Sequence, residues 1–236
     1  MDYRRNRIYF YPIPEKSVAG GIVCIVLGII IALLLRDGCA GGVYFGIGIA
    51  IVGAILAGYA VNFNKTRVVV TDNEIDQVCA GQLQRIAAMA LRKLGIELDE
   101  VTEHEPISFY GYYFAPLVSP IVCRRGNDGR FRSSNYNVAM LFFSESQVFC
   151  CHHRFSLIAD EQQTQTDEFF YSDIVSVSTA SETAAYGNQS IRYDAFRLST
   201  SGATSVYAAL LDIDHAERAI HSMKSLLRKK KQQTQS

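Results

Sequence analysis

The sequence predicts a membrane α hairpin of two transmembrane helices, followed by a cytoplasmic α+β domain built on an antiparallel β-barrel with a C-terminal helix. Three observations predict this fold class. Two long runs without charged residues lie near the amino end, in residues 17–35 and 38–64. Short β-type segments separated by turn signals fill residues 106–211, and an amphipathic pattern follows up to about residue 229.

Composition excludes two broad classes of protein. The chain has 236 residues with 23 Lys+Arg and 23 Asp+Glu, so its formal net charge is zero. A chain with this balance is neither a broadly basic nucleic-acid binder nor an acidic disordered segment. We therefore expect no nucleic-acid partner.

The two uncharged runs have the length of membrane spans. The first has 19 residues and the second has 27. At about 1.5 Å per residue, 19 helical residues cover close to the roughly 30 Å of a bilayer core. The link between the runs is very short, so the sequence predicts two antiparallel helices within residues 17–64.

Basic residues beside these runs predict their orientation. Arg4, Arg5, Arg7 and Lys16 precede the first run, Lys65 and Arg67 follow the second, and the link holds only Arg36. Cytoplasmic flanks carry such an excess. We expect a multi-pass protein of the cell inner membrane with both termini cytoplasmic, residues 1–16 forming the N-terminal cytoplasmic segment.

Small residues recur at every fourth position of both runs and let helix backbones approach closely. The helix-packing candidates are Gly20 and Gly28 in the first run, and Gly42, Gly46, Ala50, Ala54 and Gly58 in the second. These rows either pack the two helices against each other or also contact a second copy, so a homo-oligomer is one predicted partner. No ionisable side chain lies inside either run, which disfavours a proton relay or an ion-coupled transporter.

Residues 65–105 combine an amphipathic helix with an acidic linker. Thr71 and Glu74 have the spacing of a capping box, with Thr71 as the N-cap residue. The helix should end at Gly95, because glycine readily adopts the positive φ of a C-terminal cap.

Residues 106–230 are predicted to form β-strands and then a final helix, with residues 231–236 as a tail. One run, Glu168-Phe169-Phe170-Tyr171-Ser172-Asp173-Ile174-Val175-Ser176-Val177, resembles the aromatic–Tyr–x–Asp–Ile strand pair of bacterial PH-like and GRAM-like domains. Two-span bacterial membrane proteins carry such domains. The resemblance implies a PH-like barrel of about seven strands that acts as a binding or scaffolding module and supplies no catalytic residues.

Four arginines surround a predicted turn at residues 127–129. They are Arg124, Arg125, Arg130 and Arg132. In PH-like domains a basic hairpin loop binds anionic headgroups, and the guanidinium fork matches phosphate. A plain solubilising turn is the alternative explanation of the same four residues.

The tetrapeptide Cys150-Cys151-His152-His153 contains metal-ligand types, but side chains alternate along a strand. Each face would receive one cysteine and one histidine, whereas zinc needs about four ligands. We expect no metal and no cofactor. Without a nucleophile signature around any cysteine or serine, we also expect no enzyme.

Together these patterns predict a membrane-anchored cytoplasmic PH-like binding or scaffolding module that contacts anionic membrane lipid or an unknown protein partner. The alternative is a membrane-disrupting effector of the antiphage type, whose two-span hairpins oligomerise when the β domain senses a ligand.

Overall fold

The computed structural model describes residues 1–36, 40–96, 101, 106–202 and 205–234. The chain divides into two compact units. The helical unit is Tyr11–Val69, and the α/β unit combines Met1–Phe10 with Val70–Ser236. The predicted acidic linker, in residues 97–100 and 102–105, lies outside the described residues.

Within the described residues there are five α-helices and nine strands. The helices are α1 (Tyr3–Phe10), α2 (Ala19–Leu34), α3 (Ala40–Thr66), α4 (Asp72–Leu94) and α5 (Ile213–Thr234). The strands are β1 (Ile107–Tyr112), β2 (Cys123–Arg125), β3 (Phe131–Ser133), β4 (Asn135–Phe143), β5 (Gln147–Ser156), β6 (Gln162–Phe170), β7 (Ile174–Tyr186), β8 (Gln189–Thr200) and β9 (Ser205–Ala209).

The predicted two-span hairpin is wrong. α3 is the one described helix that is long and apolar enough to cross a membrane, with a mean hydropathy of 2.0 over its most apolar stretch. α2 has 16 residues, and at about 1.5 Å per residue it is shorter than the roughly 30 Å of a bilayer core. The uncharged run is longer than the helix that it contains, because Val18 and Leu35 are the caps of α2.

α2 and α3 are antiparallel and contact each other through a narrow seam. Five small residues spaced by sevens are its buried positions: Gly21 and Gly28 on α2, and Gly46, Gly53 and Ala60 on α3. A Cβ built on Gly28 would lie 2.5 Å from the Ala50 nitrogen and 2.6 Å from the Gly46 oxygen. The two backbones therefore touch, as small residues permit.

Polar contacts join the segment before α2 to the end of α3. The Asn64 side chain accepts a hydrogen bond from the Lys16 amide and donates one to the Lys16 carbonyl, both at 2.9 Å. The Lys16 ammonium lies 4.3 Å from the ring centres of Tyr59 and Phe63, and Arg67 forms an ion pair with Glu15. These contacts hold the two ends of the helical unit together.

The described strands of the α/β unit form three antiparallel sheets. The strand orders are β1-β4-β5-β6, β2-β3 and β7-β8-β9. The predicted antiparallel barrel of about seven strands is therefore wrong for the described strands. Between β6 of the four-stranded sheet and β7 of the three-stranded sheet, a 3₁₀ helix (Tyr171–Asp173) interrupts the strands. Where β1 lies beside the segment after β9, the Leu211 amide donates a backbone hydrogen bond to the Tyr110 carbonyl.

Two hydrophobic cores lie on opposite faces of the four-stranded sheet. Every residue of β4 is buried, because both faces of this strand are covered. Tyr136 and Phe142 pack on the face covered by α4, whereas Leu141 and Phe143 pack with residues of β8 and α5. Each face receives alternate residues, as the two-residue period of a strand requires.

The capping box of α4 is confirmed. The Thr71 side chain accepts a hydrogen bond from the Glu74 amide, and the Glu74 carboxylate accepts one from the Thr71 amide. Gly95 ends the helix with φ at 67°, in the left-handed region. Both ends of this helix were therefore readable from the sequence.

Candidate functional site

The arginine cluster predicted from the sequence lies on the β2–β3 hairpin. The two strands pair so that Arg124 stands opposite Arg132 and Arg125 opposite Phe131. Gly129 adopts a φ of 79°, and the Asp128 carboxylate accepts a hydrogen bond from the Arg130 amide at 3.1 Å. The turn thus brings the four arginines onto one short element while sending their side chains in different directions.

Arg132 is buried, with 3% of its surface exposed. Its guanidinium donates two hydrogen bonds to the Asp76 carboxylate, at 2.9 and 2.7 Å, and two to Asp128, at 3.0 and 2.9 Å. Asp76 belongs to α4, so this side chain ties the hairpin to that helix. Hydrogen bonds from Arg132 lower the pKa of Asp128 to about 2.

The other three arginines remain nearer to the surface. Arg124 is half-buried, donates to the Tyr9 carbonyl oxygen at 2.6 Å and lies over the Tyr9 ring. Arg125 is exposed and donates to the Gly129 carbonyl at 3.1 Å. Arg130 is exposed, and among the described residues its guanidinium forms no hydrogen bond or ion pair. Arg125 and Arg130 are therefore the members of the cluster that a ligand can reach.

Arg130 lines an open cleft of about 800 Å³ in the α/β unit. The walls come from β1, the β2–β3 turn, β8 and the connector from β9 to α5. The side chains that give the cleft its chemistry are Tyr110, Tyr112, Phe114, Phe131 and Tyr193, with Arg130, Arg192, Asp194, Asp212 and Asp214. The cleft therefore offers aromatic faces, two cations and three carboxylates to a polar ligand.

Neighbouring contacts fix several of these side chains. The Phe114 and Tyr193 rings are 4.9 Å apart, and the Tyr207 hydroxyl donates to the Tyr193 oxygen at 2.7 Å. Burial and this bond raise the pKa of Tyr207, so the pair stays neutral at physiological pH. Asp194 accepts a hydrogen bond from Ser181 at 2.6 Å.

Sequence reasoning missed the β8 and β1 side of this cleft. The alternation of Ile191, Arg192 and Tyr193 is ordinary for a strand, and it carries no signal that β8 faces β1. That arrangement depends on contacts between residues far apart in the sequence. The Phe109 ring of β1 stacks on the Phe196 ring of β8 with 3.8 Å between ring centres, and the Ala209 amide of β9 donates a hydrogen bond to the Asn137 side chain of β4 at 3.2 Å. The same Asn137 has a buried Nδ2 that finds no hydrogen-bond partner among the described residues.

The cysteine and histidine run lies on β5, with its side chains on alternate faces. Cys150 packs in the core that contains β8 and α5, and Cys151 packs in the core that contains α4. Burial lowers the pKa of His152 and of His153 to about 4, assisted by Arg154 and Lys93 respectively. Within the described parts of the chain, no group of three or more His, Cys, Asp or Glu side chains could hold a metal ion.

The predicted helix-packing residues fall into two groups. Gly28, Gly46 and Ala50 lie at the α2–α3 seam, and a Cβ on Gly42 would meet the Leu35 side chain at 2.7 Å. Gly20 and Gly58 have open space around them, and Ala54 is exposed. The seam residues are engaged within the chain, so they are not free to contact a second copy.

No protein-family model matches the chain, and no curated protein or solved structure is significantly similar to it. The resemblance of residues 168–177 to PH-like and GRAM-like domains therefore stays a prediction.

Proposed function

We propose that this chain is a membrane-associated binding module. Its helical unit lies in lipid, and its α/β unit binds an anionic ligand through the cleft beside the β2–β3 hairpin. One observation carries the proposal: the outward surface of the helical unit is apolar. Leu34 is 77% exposed and Ile55 is 65% exposed, although both are large hydrophobic residues.

The exposed apolar residues surround both helices. They are Ile22, Val23, Val26, Leu27, Ile29, Ile30, Leu33 and Leu34 on α2, and Tyr44, Phe45, Ile47, Ile51, Val52, Ile55, Leu56, Tyr59 and Val61 on α3. Soluble monomers rarely expose contiguous apolar patches above a few hundred Å². Lipid is the solvent that suits this surface, and α3 supplies a helix long enough to cross it.

Aromatic and cationic residues at one end of the helical unit support the same placement. Tyr59 and Phe63 lie close to each other, 6.4 Å between ring centres, with the Lys16 ammonium over both. Tyrosine and lysine are enriched where a helix leaves the hydrocarbon for the headgroup region. We infer that this end lies at a membrane–water interface.

The binding role is supported by the chemistry of the cleft. Arg130 and Arg192 line it together with five aromatic side chains, and Arg125 stands on the same hairpin. Guanidinium groups bind phosphate and carboxylate in a bidentate manner. Arg130 and Arg192 therefore suit a phosphate, and the three carboxylates of the cleft suit a cationic group beside it. A phospholipid headgroup that carries both, such as the net-anionic phosphoserine, is the ligand that we expect a membrane-associated module to bind.

Membrane association is tested by alkaline carbonate extraction of the full chain. We expect the wild-type chain to remain in the membrane pellet. Ile51→Lys with Ile55→Lys should release it, since a lysine near the bilayer centre costs about 2.5–3.5 kcal/mol. Both isoleucines are exposed, at 54% and 65%, so the change does not disturb the seam.

The matched control places lysines at equally exposed apolar residues beyond α3. Val68 and Val69 are 54% and 57% exposed. Val68→Lys with Val69→Lys should leave the chain in the pellet. Release of the wild-type chain by carbonate would remove the membrane half of the proposal.

Ligand binding is tested with a fluorescent reporter in the cleft. The chain has no tryptophan, so Phe131→Trp gives a single emitter at the lining. In neutral detergent, we expect saturable quenching of the full-chain reporter by glycerophosphoserine. Adding Arg130→Gln and Arg192→Gln should weaken binding at least tenfold, since a hydrogen bond to a charged group contributes about 1.5–3 kcal/mol.

The control pair removes two exposed arginines outside the cleft, Arg85 and Arg218. Their replacement by glutamine should leave the affinity unchanged. Equal quenching by the neutral glycerophosphocholine would show that charge is not recognised, and binding that survives the Arg130 and Arg192 changes would place the ligand elsewhere.

A further inference from the structure

The hairpin of β7 and β8 is the longest paired element of the α/β unit. Its strands pair at 12 positions, from Ile174 opposite Thr200 to Tyr186 opposite Gln189. β8 lies between β7 and β9, so β7 is an edge of its sheet. In residues 178–186 every side chain is at least partly exposed. We call residues 178–186 the β7 arm.

The β7 arm lacks the usual protection of an edge strand. Natural edge strands carry lysine, proline, bulges or inward-pointing charges that prevent pairing with another chain. The β7 arm consists of Ala, Ser and Thr with Tyr186 at its end and one charge, Glu182. That carboxylate is engaged by Arg197 of β8 at 2.5 Å. The one irregularity in the β7–β8 register lies before the β7 arm, between Ile174 and Ser176.

The remaining outer strands of the two larger sheets differ from the β7 arm. β1 and β9 lie against each other, since a Cβ built on Gly111 would meet the Ala209 carbonyl oxygen at 2.7 Å. β6, at the other edge of the four-stranded sheet, has nine residues. It carries three glutamines together with Asp167 and Glu168. Two like charges on a short strand oppose self-pairing. The comparison singles out the β7 arm as the edge left open.

We propose that two copies of this chain pair through their β7 arms, antiparallel, about a twofold axis at Ser181. A twofold axis perpendicular to a sheet keeps each side chain on its own face. Because directly opposite residues of antiparallel strands point to the same face, the axis must lie midway between the two copies of one residue. Pairing about Ser181 sets Thr179 of each copy opposite Thr183 of the other, and cross-strand threonine pairs are favourable. The two three-stranded sheets would become one six-stranded sheet.

Charge excludes the register shifted by one residue from Ser181 to Glu182. An axis at Glu182 would set two carboxylates against each other, which is destabilising. The axis at Ser181 sets Glu182 opposite Ala180. It also sets Val175, which is 66% exposed, beside the turn at Gly187 of the second copy. Self-complementarity of one patch is what a twofold homodimer requires.

The register can be tested by introducing charges at two positions that it sets opposite each other. In Thr179→Lys with Thr183→Lys, the new lysines are four residues apart within one chain but directly opposite each other across the dimer. We expect the protein mass of the full chain in detergent, measured by light scattering, to fall from twice 26.2 kDa to 26.2 kDa. In Thr179→Lys with Thr183→Glu, opposite charges face each other, so the mass should return to the doubled value.

A matched pair of lysines on the outer strand β6 controls for added charge. Gln162 and Thr166 of β6 are both exposed and are also four residues apart. Gln162→Lys with Thr166→Lys should leave the doubled mass unchanged, and circular dichroism checks that every variant is folded. A wild-type mass of 26.2 kDa overturns the proposal. A doubled mass that persists in the two-lysine β7 variant overturns it too, because the copies would then be joined elsewhere.

Discussion

Replacing Arg132 by methionine is expected to destabilise the α/β unit by about 1.5–3 kcal/mol, the range for losing hydrogen bonds to a charged group, because the carboxylates left behind on Asp76 and Asp128 are partly exposed to water. Arg132 is 3% exposed, and its guanidinium satisfies two carboxylates, those of Asp76 and Asp128. Methionine keeps most of the aliphatic volume of the arginine side chain. The Asp76 carboxylate on α4, however, loses the guanidinium that binds it. The Tyr112 hydroxyl, which donates to Asp76, cannot replace a full positive charge.

Unfolding of the full chain by guanidinium chloride, in detergent, measures this loss of stability. Arg130→Met is the matched control. Arg130 lies two residues away on the same hairpin but is exposed, so its replacement should change the free energy of unfolding by less than about 0.5 kcal/mol. Similar losses in both variants would contradict a structural role specific to Arg132.

Acid unfolding gives a second readout of the same contact. The pKa of Asp128 is about 2 in the folded chain against an ordinary value of 3.8. A lowered folded-state pKa contributes stability that is present above the ordinary value and is lost as the pH falls through the lower one. Between pH 4 and pH 2 the wild-type chain should therefore lose this contribution, whereas Arg132→Met should not.

The arginine cluster shows what sequence spacing can and cannot predict. The Gly129 turn and the pairing of the two short strands follow from local sequence, and local sequence brought the four arginines to one hairpin. The partner of Arg132 does not follow, because Asp76 lies 56 residues earlier on α4. Whether an arginine is exposed or buried depended on that helix, so a headgroup site built from all four residues mixes two different roles.

The helical unit shows a second limit of pattern reading. The sequence contains small residues both four and seven apart, and only the structure decides which row faces the neighbouring helix. The buried positions of the seam follow the seven-residue row, with Gly21 and Gly28 against Gly46 and Gly53. Ala32 and Ala50, four residues after Gly28 and Gly46, lie beside this row and also contact the facing helix. Seven residues are two turns of a helix that winds slightly around its neighbour, so this row stays on the contact face longer than the four-residue row.

Gly46→Val is expected to separate α2 from α3. A Cβ at this position would lie 2.5 Å from the Ala32 nitrogen and 2.6 Å from the Gly28 oxygen, and both atoms belong to backbone that cannot rotate away. Overpacking typically costs about 1–3 kcal/mol. Because 1.4 kcal/mol is a factor of ten in an equilibrium constant, the open form of the helix pair should become about ten times more populated.

The readout is the Cys24 thiol. Cys24 is half-buried on α2, where its Cβ lies 2.9 Å from the Cβ position built on Gly53. Opening of the seam exposes this thiol, so a membrane-permeant maleimide should label it about tenfold faster in Gly46→Val, as measured on the Cys24 peptide by mass spectrometry. Gly48→Val carries the same β-branched side chain on the same helix, but a Cβ at Gly48 meets nothing within 4 Å. It should label at the wild-type rate. Equal acceleration in both variants would mean that valine weakens α3 itself, and equal protection in both would mean that the two backbones do not touch at Gly46.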